Sequence, residues 1–345
     1  MDNGAQPVRR RVTLTDISSR AWEHPADAGA LVALRKLRGF DLVVKKMFSL
    51  LNERALRLEF LGSAIRVDER QYPALHRVYT EAGATLDVRD LPELYVVNSP
   101  EWNAFTIGLN TPFIVLHSAL VQNLDEEEMR FALGHELGHA LSGHAVYRSL
   151  LMWLLRISGA FAWVPFGSLG IRAIIAALQE WSRKAELSGD RAGVLACQDP
   201  AAALRVHMKS ASGGQLGDLD PTAFLAQGAE YESSGDVRDS VVKMMLLEAS
   251  DHPFAVVRAT ELRRWIDEGT YLSFLAGGYP RRSDDAHASP TDAAKEAARS
   301  YGEAFKRSQD PLARLVRDLG GSLGGLKDWV SERLPKPGQD DTGDS

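Results

Sequence analysis

The chain has 345 residues, one cysteine and a formal net charge of −6. That length supports one large domain or two smaller ones with tails, the acidic balance argues against general nucleic-acid binding, and Cys197 alone can form neither an internal disulfide nor a cysteine-based metal site. The N-terminus is polar and basic with no apolar h-region after it, so we expect a cytoplasmic protein, with peripheral contact at a membrane left open.

Residues 1–27 hold three arginines, Pro7 and Pro25 with little periodicity, and read as a flexible lead-in. Over 28–51, Leu31, Leu34, Leu37, Leu42, Val43 and Met47 recur at helical spacing, interrupted near Gly39. This predicts a helical hairpin or broken helix that packs on the core or, through Arg35, Lys45 and Lys46, meets a membrane surface. Leu56, Leu58 and Phe60 alternate, which predicts an extended stretch over 56–67, whereas 72–86 reads as a helix with Pro73 in its first turn. Strand candidates follow at 93–98, 103–109 and 112–116, the last two at hairpin spacing, and predict a small antiparallel sheet.

Asp125 is a good N-cap, and Glu128 three residues on completes a capping box that opens a central helix. This helix carries His135-Glu136-Leu-Gly-His139, the H-E-x-x-H pattern in which two imidazoles one turn apart reach one metal ion. Glu136 lies about 100° round from His135, toward where a reacting water would sit. Met129, Leu133, Leu137, Ala140 and Leu141 form the opposite, core-facing stripe. His144 projects about 180° from His135, so it is expected to be a structural or surface histidine rather than a ligand. Gly134 and Gly138, one turn apart, point to close approach of another backbone.

The uncharged run 157–171 is too short and too broken by Gly159, Pro165 and Gly167 for one membrane span. The stretch 149–181 therefore predicts two short helices joined around Pro165, which cover the core or dip into a membrane. Next comes a good helical sequence with Glu186 and Asp190 at i and i+4. Glu186 can complete a His-His-Glu site, and Asp190 can accept a hydrogen bond from the distal nitrogen of a ligating histidine. The rival pattern, H-E-x-x-H-x-x-G-x-x-H, fails because Ser142 and Ala145 stand where Gly and His are required.

Four ordered segments carry a resemblance: Asn103-Ala-Phe-Thr-Ile-Gly108, His135-Glu-Leu-Gly-His139, Arg183-Lys-Ala-Glu186-Leu-Ser-Gly-Asp190 and His252-Pro-Phe-Ala-Val-Val-Arg258. Over about 91–265 the chain resembles the HtpX and CAAX prenyl protease family of gluzincin metallopeptidases. The resemblance implies one Zn2+ on His135, His139 and Glu186, Glu136 as general base, and His252 near the metal stabilising the oxyanion. It also implies Arg258 anchoring the site through a carboxylate, and an edge strand (Asn103, Ala104, Phe105, Gly108) to which a peptide substrate adds. Integral-membrane members carry spanning helices ahead of the catalytic helix; this chain has none there.

Residues 201–250 read as helices that wall the cleft, 281–294 as a charged linker, 295–334 as an amphipathic helical appendage and 335–345 as a disordered tail. The expected whole is an α+β, predominantly helical, zincin-like metallopeptidase domain over 28–280, with a small antiparallel sheet over the active-site helix. Its expected partner is a protein or peptide substrate, with no nucleic acid; membrane association through 149–181 or 310–334, and the oligomeric state, stay open. The expected function is a zinc-dependent metalloendopeptidase. A non-peptidase zinc hydrolase and a non-catalytic zinc-stabilised scaffold are the alternatives.

Overall fold

The computed structural model describes residues 10–35, 40, 44, 53–158, 167–233 and 254–285. These are mostly helical, with one four-stranded sheet. In chain order the elements are α1 (Pro25–Arg35), α2 (Glu53–Ser63), β1 (Ile65–Arg66), α3 (Pro73–Thr85), β2 (Glu93–Val97), β3 (Ala104–Ile107), β4 (Phe113–His117) and α4 (Ser118–Asn123). There follow α5 (Glu126–Leu141), α6 (His144–Ser158), α7 (Gly167–Cys197), α8 (Pro200–Ser212), α9 (Pro221–Ser233), α10 (Ala255–Asp267), α11 (Thr270–Leu275) and α12 (Arg282–Asp285). The calls on 295–334, 335–345, most of 281–294 and the second half of 28–51 lie outside the described residues.

The strand order is β1-β2-β4-β3. The hairpin of β3 and β4 is antiparallel as predicted, but β4 inserts between β3 and β2 and runs parallel to β2, so the sheet is mixed rather than antiparallel. Alternation marks a strand and not its neighbour, so this insertion has no local signature. All five residues of β4 are buried, as suits a central strand covered on both faces. Phe113 and Val115 face a cluster with Leu56 and Phe60 of α2, while Ile114 and Leu116 join the main core with α3 and α5. β3 stands at the sheet edge, over α5.

Two local expectations are corrected. Residues 53–63 form a helix instead of an extended stretch: Leu56 and Phe60 point inward one turn apart and Leu58 between them points to solvent, 55% exposed. The alternation of 56, 58 and 60 was therefore one helical turn sampled at every second residue. The lead-in, where described, is not loose either. Leu14, Ile17 and Trp22 are buried in the main core. Ser18 N–H donates to Pro280 O (2.9 Å), and Ile17 bridges Arg281, the first residue of the expected linker. Such a clasp is held by backbone pairing and isolated side chains, which leave no period to read.

The stretch 149–181 falls in α6 and α7, two helices as expected, although α7 is long and the expected join around Pro165 lies outside the described residues. Leu150, Leu154, Ile174, Leu178 and Trp181 close a second core with Ala30 and Leu34 of α1. No helix among the described residues is long and apolar enough to cross a membrane. Cys197 is fully buried, and burial pushes its thiol up to about 12. A thiol reagent at pH 8 should leave the native protein unlabelled and label it stoichiometrically once unfolded; labelling of the native protein at the unfolded rate would contradict this packing.

Candidate metal centre

The capping box forms as read: Asp125 accepts from the Glu128 N–H and Glu128 from the Asp125 N–H, both at 2.9 Å. From this start α5 runs buried through His135, Glu136 and His139. It lies against α7 along a seam of small residues. A Cβ on Gly134 would stand 2.3 Å from Ala196 Cβ, one on Gly138 2.4 Å from Ala192 Cβ, and one on Gly189 2.6 Å from His135 Cε1. No side chain larger than hydrogen fits at these three places, and the close approach carries Glu186 to the two histidines.

His135 Nε2 and His139 Nε2 are 3.0 Å apart, and Glu186 reaches them at 3.4 Å (Oε2 to His135) and 3.5 Å (Oε1 to His139). The three form the one group of His, Cys, Asp and Glu among the described residues with metal-holding geometry. These separations resemble the edge, about 3.3 Å, of a tetrahedron with zinc–ligand bonds of about 2.0–2.1 Å. Two imidazoles and a carboxylate are a donor set that suits zinc. The charges agree with a cation at this place. Burial alone would lower the His135 ring, but Asp190 and Glu186 outweigh it and raise it to about 9.

Asp190 Oδ1 lies 3.1 Å from His135 Nδ1, the contact expected of it. Arg258 holds that carboxylate with Nε (2.8 Å) and Nη2 (2.6 Å), and its Nη1 is 3.1 Å from Glu186 Oε2. Burial pushes the Asp190 carboxyl up, yet Arg258 keeps it well below the usual carboxylate range. Glu186 is held low in the same way by Arg148 and Arg258.

Three neighbours were not singled out for the site by sequence reasoning. Thr106 Oγ1 lies 2.7 Å from Glu136 Oε2 and 3.0 Å from the Glu136 carbonyl. It sits inside the 103–108 motif, and strand alternation places it on the same face as Ala104. Arg148 of α6 bonds Glu186 Oε1 and lies 3.8 Å from Glu136 Oε2; its signal was a lone charge early in an apolar helix. Asp27 reaches the site through His144. Gly143, at φ +71°, turns the chain between α5 and α6, so His144 is buried with its Nδ1 2.9 Å from His139 Nδ1. His144 is thus not among the three grouped ligands, as expected, but neither is it a surface residue.

Asn103 and Ala104 line the cleft together with Trp102, Phe131, His207 and Arg258. The Phe105 side chain points to the other face of the sheet, against Phe60 and His117. Gly108 corrects an expectation: its N–H donates to Ser149 Oγ (2.9 Å) and its carbonyl accepts from the same hydroxyl (3.4 Å), so it is engaged by α6 instead of open to a substrate. His252 lies outside the described residues.

The family model described as peptidase family M48 matches residues 69–266. The chain is 32% identical over 265 residues to the plastoglobule-localized metallopeptidase 48, chloroplastic, of Arabidopsis thaliana, covering 75% of this chain and 76% of that protein. It is 37% identical over 67 residues to protease HtpX of Xanthomonas euvesicatoria pv. vesicatoria, 19% of this chain and 23% of the relative. To protease HtpX of Xylella fastidiosa (strain M12) it is 24% identical over 136 residues, 38% of this chain and 46% of the relative. No solved structure matches. The Arabidopsis relative, named for a chloroplast plastoglobule, overturns the expectation of a cytoplasmic protein. A lone cysteine and a polar start report on redox conditions and on secretion, and neither singles out the cytosol.

Proposed function

The chain belongs to peptidase family M48 and is a metallopeptidase, and from that premise we propose that it is a zinc-dependent endopeptidase with a zincin-like fold. The observation that carries this reading is the buried His135, His139 and Glu186 triad with a second carboxylate, Glu136, 4.0 Å from His135 Nε2. A structural metal clamp has no use for that second carboxylate, and a hydrolase requires it.

His135, His139 and Glu186 would hold one Zn2+, and the chemistry it would supply there is polarisation of the scissile carbonyl and acidification of the attacking water. Glu136 takes the water's proton and delivers it to the leaving amine. Thr106 holds Glu136 Oε2, which orients the carboxylate and leaves Oε1 toward the cleft. Asp190, clamped by Arg258, fixes the His135 tautomer with its proton on Nδ1. The peptide lies along the β3 edge and pairs with the backbone of Asn103, Ala104 and Phe105. A role for His252 in stabilising the oxyanion rests on the His252-Pro-Phe-Ala-Val-Val-Arg258 motif alone.

The test is metal analysis joined to a cleavage assay. Purified protein should hold one zinc per chain, lose casein cleavage when a chelator strips it, and recover with one equivalent of Zn2+. Cleavage that persists in the stripped protein would exclude the mechanism. Arg148→Met, which removes one of the two arginines on Glu186 and leaves Arg258, should weaken zinc binding by about 10- to 100-fold; an unchanged zinc titration would remove Arg148 from the site.

A further inference from the structure

His135 and His139 are supported differently. His135 leans directly on a carboxylate, Asp190, whose charge Arg258 balances. The distal nitrogen of His139 instead meets another imidazole, His144, at 2.9 Å. The second ring nitrogen of His144, Nε2, lies 3.2 Å from Asp27 Oδ2. Asp27 stands in the first turn of α1, 1% exposed, and also accepts from Trp181 Nε1 (2.9 Å) and Ser188 Oγ (2.6 Å).

We propose that Asp27, acting through His144, is a positioning residue for His139, so that the segment ahead of the family-matched region 69–266 completes the metal site. This rests on the zinc reading above. Two observations carry it. The first is the direction that hydrogen bonding imposes. Two ring nitrogens in contact must be one donor and one acceptor. If His139 gives Nε2 to the metal, its proton is on Nδ1 and it donates to His144 Nδ1. The His144 proton is then on Nε2, pointing at Asp27. With His144 uncharged this arrangement of protons satisfies every contact, and it is the one that metal ligation by His139 requires.

The second observation is the charge on Asp27. A buried carboxylate needs a compensating charge. Asp190 has Arg258, but among the described residues no lysine or arginine pairs with Asp27, which meets the ring of His144 instead. The cation at the far end of this chain is the metal. Both ligand imidazoles thus end on a buried carboxylate, one directly and one through a ring, which holds their planes and strengthens them as donors. The N-terminal segment is well placed for this duty. Trp22 Nε1 donates to Ser142 Oγ (3.0 Å) and the His24 N–H to Ser188 Oγ (2.9 Å), so α1 is pinned to the turn after α5 and to α7.

The experiment follows zinc release from the full chain to a chromophoric chelator, the visible spectrum of the cobalt(II)-substituted protein, and the melting temperature of the metal-free protein. Asp27→Asn should release zinc about 10- to 100-fold faster than wild type and alter the cobalt bands. Ser142→Ala, which loosens the same segment without touching the relay, should lower the melting temperature and leave release and spectrum unchanged. His144→Leu should behave like Asp27→Asn. His144→Gln, whose amide can accept from His139 and donate to Asp27, should recover most of the wild-type retention. Wild-type release from Asp27→Asn, or equal acceleration by Ser142→Ala, overturns the relay alone. If Asp27→Asn does not fold, equal release from His144→Leu and His144→Gln overturns it. A wild-type protein that takes up no zinc overturns the metal reading and the relay with it.

Discussion

Glu136→Gln should keep one zinc per chain and cleave a casein-like substrate roughly 10³-fold or more slower than wild type, the upper part of the range for a general base. The substitution conserves shape. A glutamine oxygen can still accept from Thr106 Oγ1, 2.7 Å from Oε2, so the side chain has reason to stay in place. The three metal-facing groups, His135, His139 and Glu186, are unchanged. What is lost is a carboxylate able to take a proton, and among the described residues no other uncommitted base lies as near the metal-facing groups. Arg148 and Arg258 are cations, and Glu186 and Asp190 are committed to arginines and imidazoles. The loss should therefore fall on kcat. Paired zinc analysis and single-turnover cleavage check this, and wild-type turnover with zinc retained would sink the mechanism.

Gly189→Ala should remove metal from a protein that still folds. Alanine is about 1 kcal/mol better than glycine within a helix. The added Cβ, however, would stand 2.6 Å from His135 Cε1 and 2.8 Å from both ring nitrogens, and overpacking of this kind costs about 1–3 kcal/mol. The two effects nearly cancel in stability. They do not cancel for the ring, which has to move away from α7 and so loses Asp190 at 3.1 Å and its alignment with His139. Zinc affinity should fall by at least about 10- to 100-fold, with only a small change in melting temperature. Wild-type zinc affinity would show that the seam tolerates a methyl group and that the glycine is not there for the imidazole.

The local features of the site were legible because each follows from the period of a helix. The capping box, the one-turn spacing of His135 and His139, and the one-turn spacing of Glu186 and Asp190 all survive in the structure. Gly134 and Gly138 were read as a place of close approach, and α7 is what approaches. Glu186, Asp190 and Arg258 reach the site from other helices and were named through their motifs; other residues that reach it were not legible. Arg148 and Thr106 were read without a role there. His144 was read as a structural or surface histidine, and the structure makes it structural; its contact with His139 was not legible because projection along α5 continues the helix past Leu141, where Gly143 turns the chain. The extended reading of 56–67 holds only at Ile65–Arg66 and failed over 56–63, because three residues at every second position cannot separate a strand from one face of a helix.

By itself the sequence named the chemical groups that the structure brings together, His135, Glu136, His139 and Glu186, and where the helix of the first three begins. Those depend on residue type and on spacing within one element. Only the tertiary structure decided what surrounds them. It put β4 between β2 and β3, engaged Gly108 with Ser149, and brought Asp27, from a segment that carries no period, to the histidine behind His139. The reason is physical. Spacing along a chain fixes neighbours only within a turn of helix or a pair of residues on a strand, whereas a buried charge finds its partner across whatever the packing brings within about 3 Å.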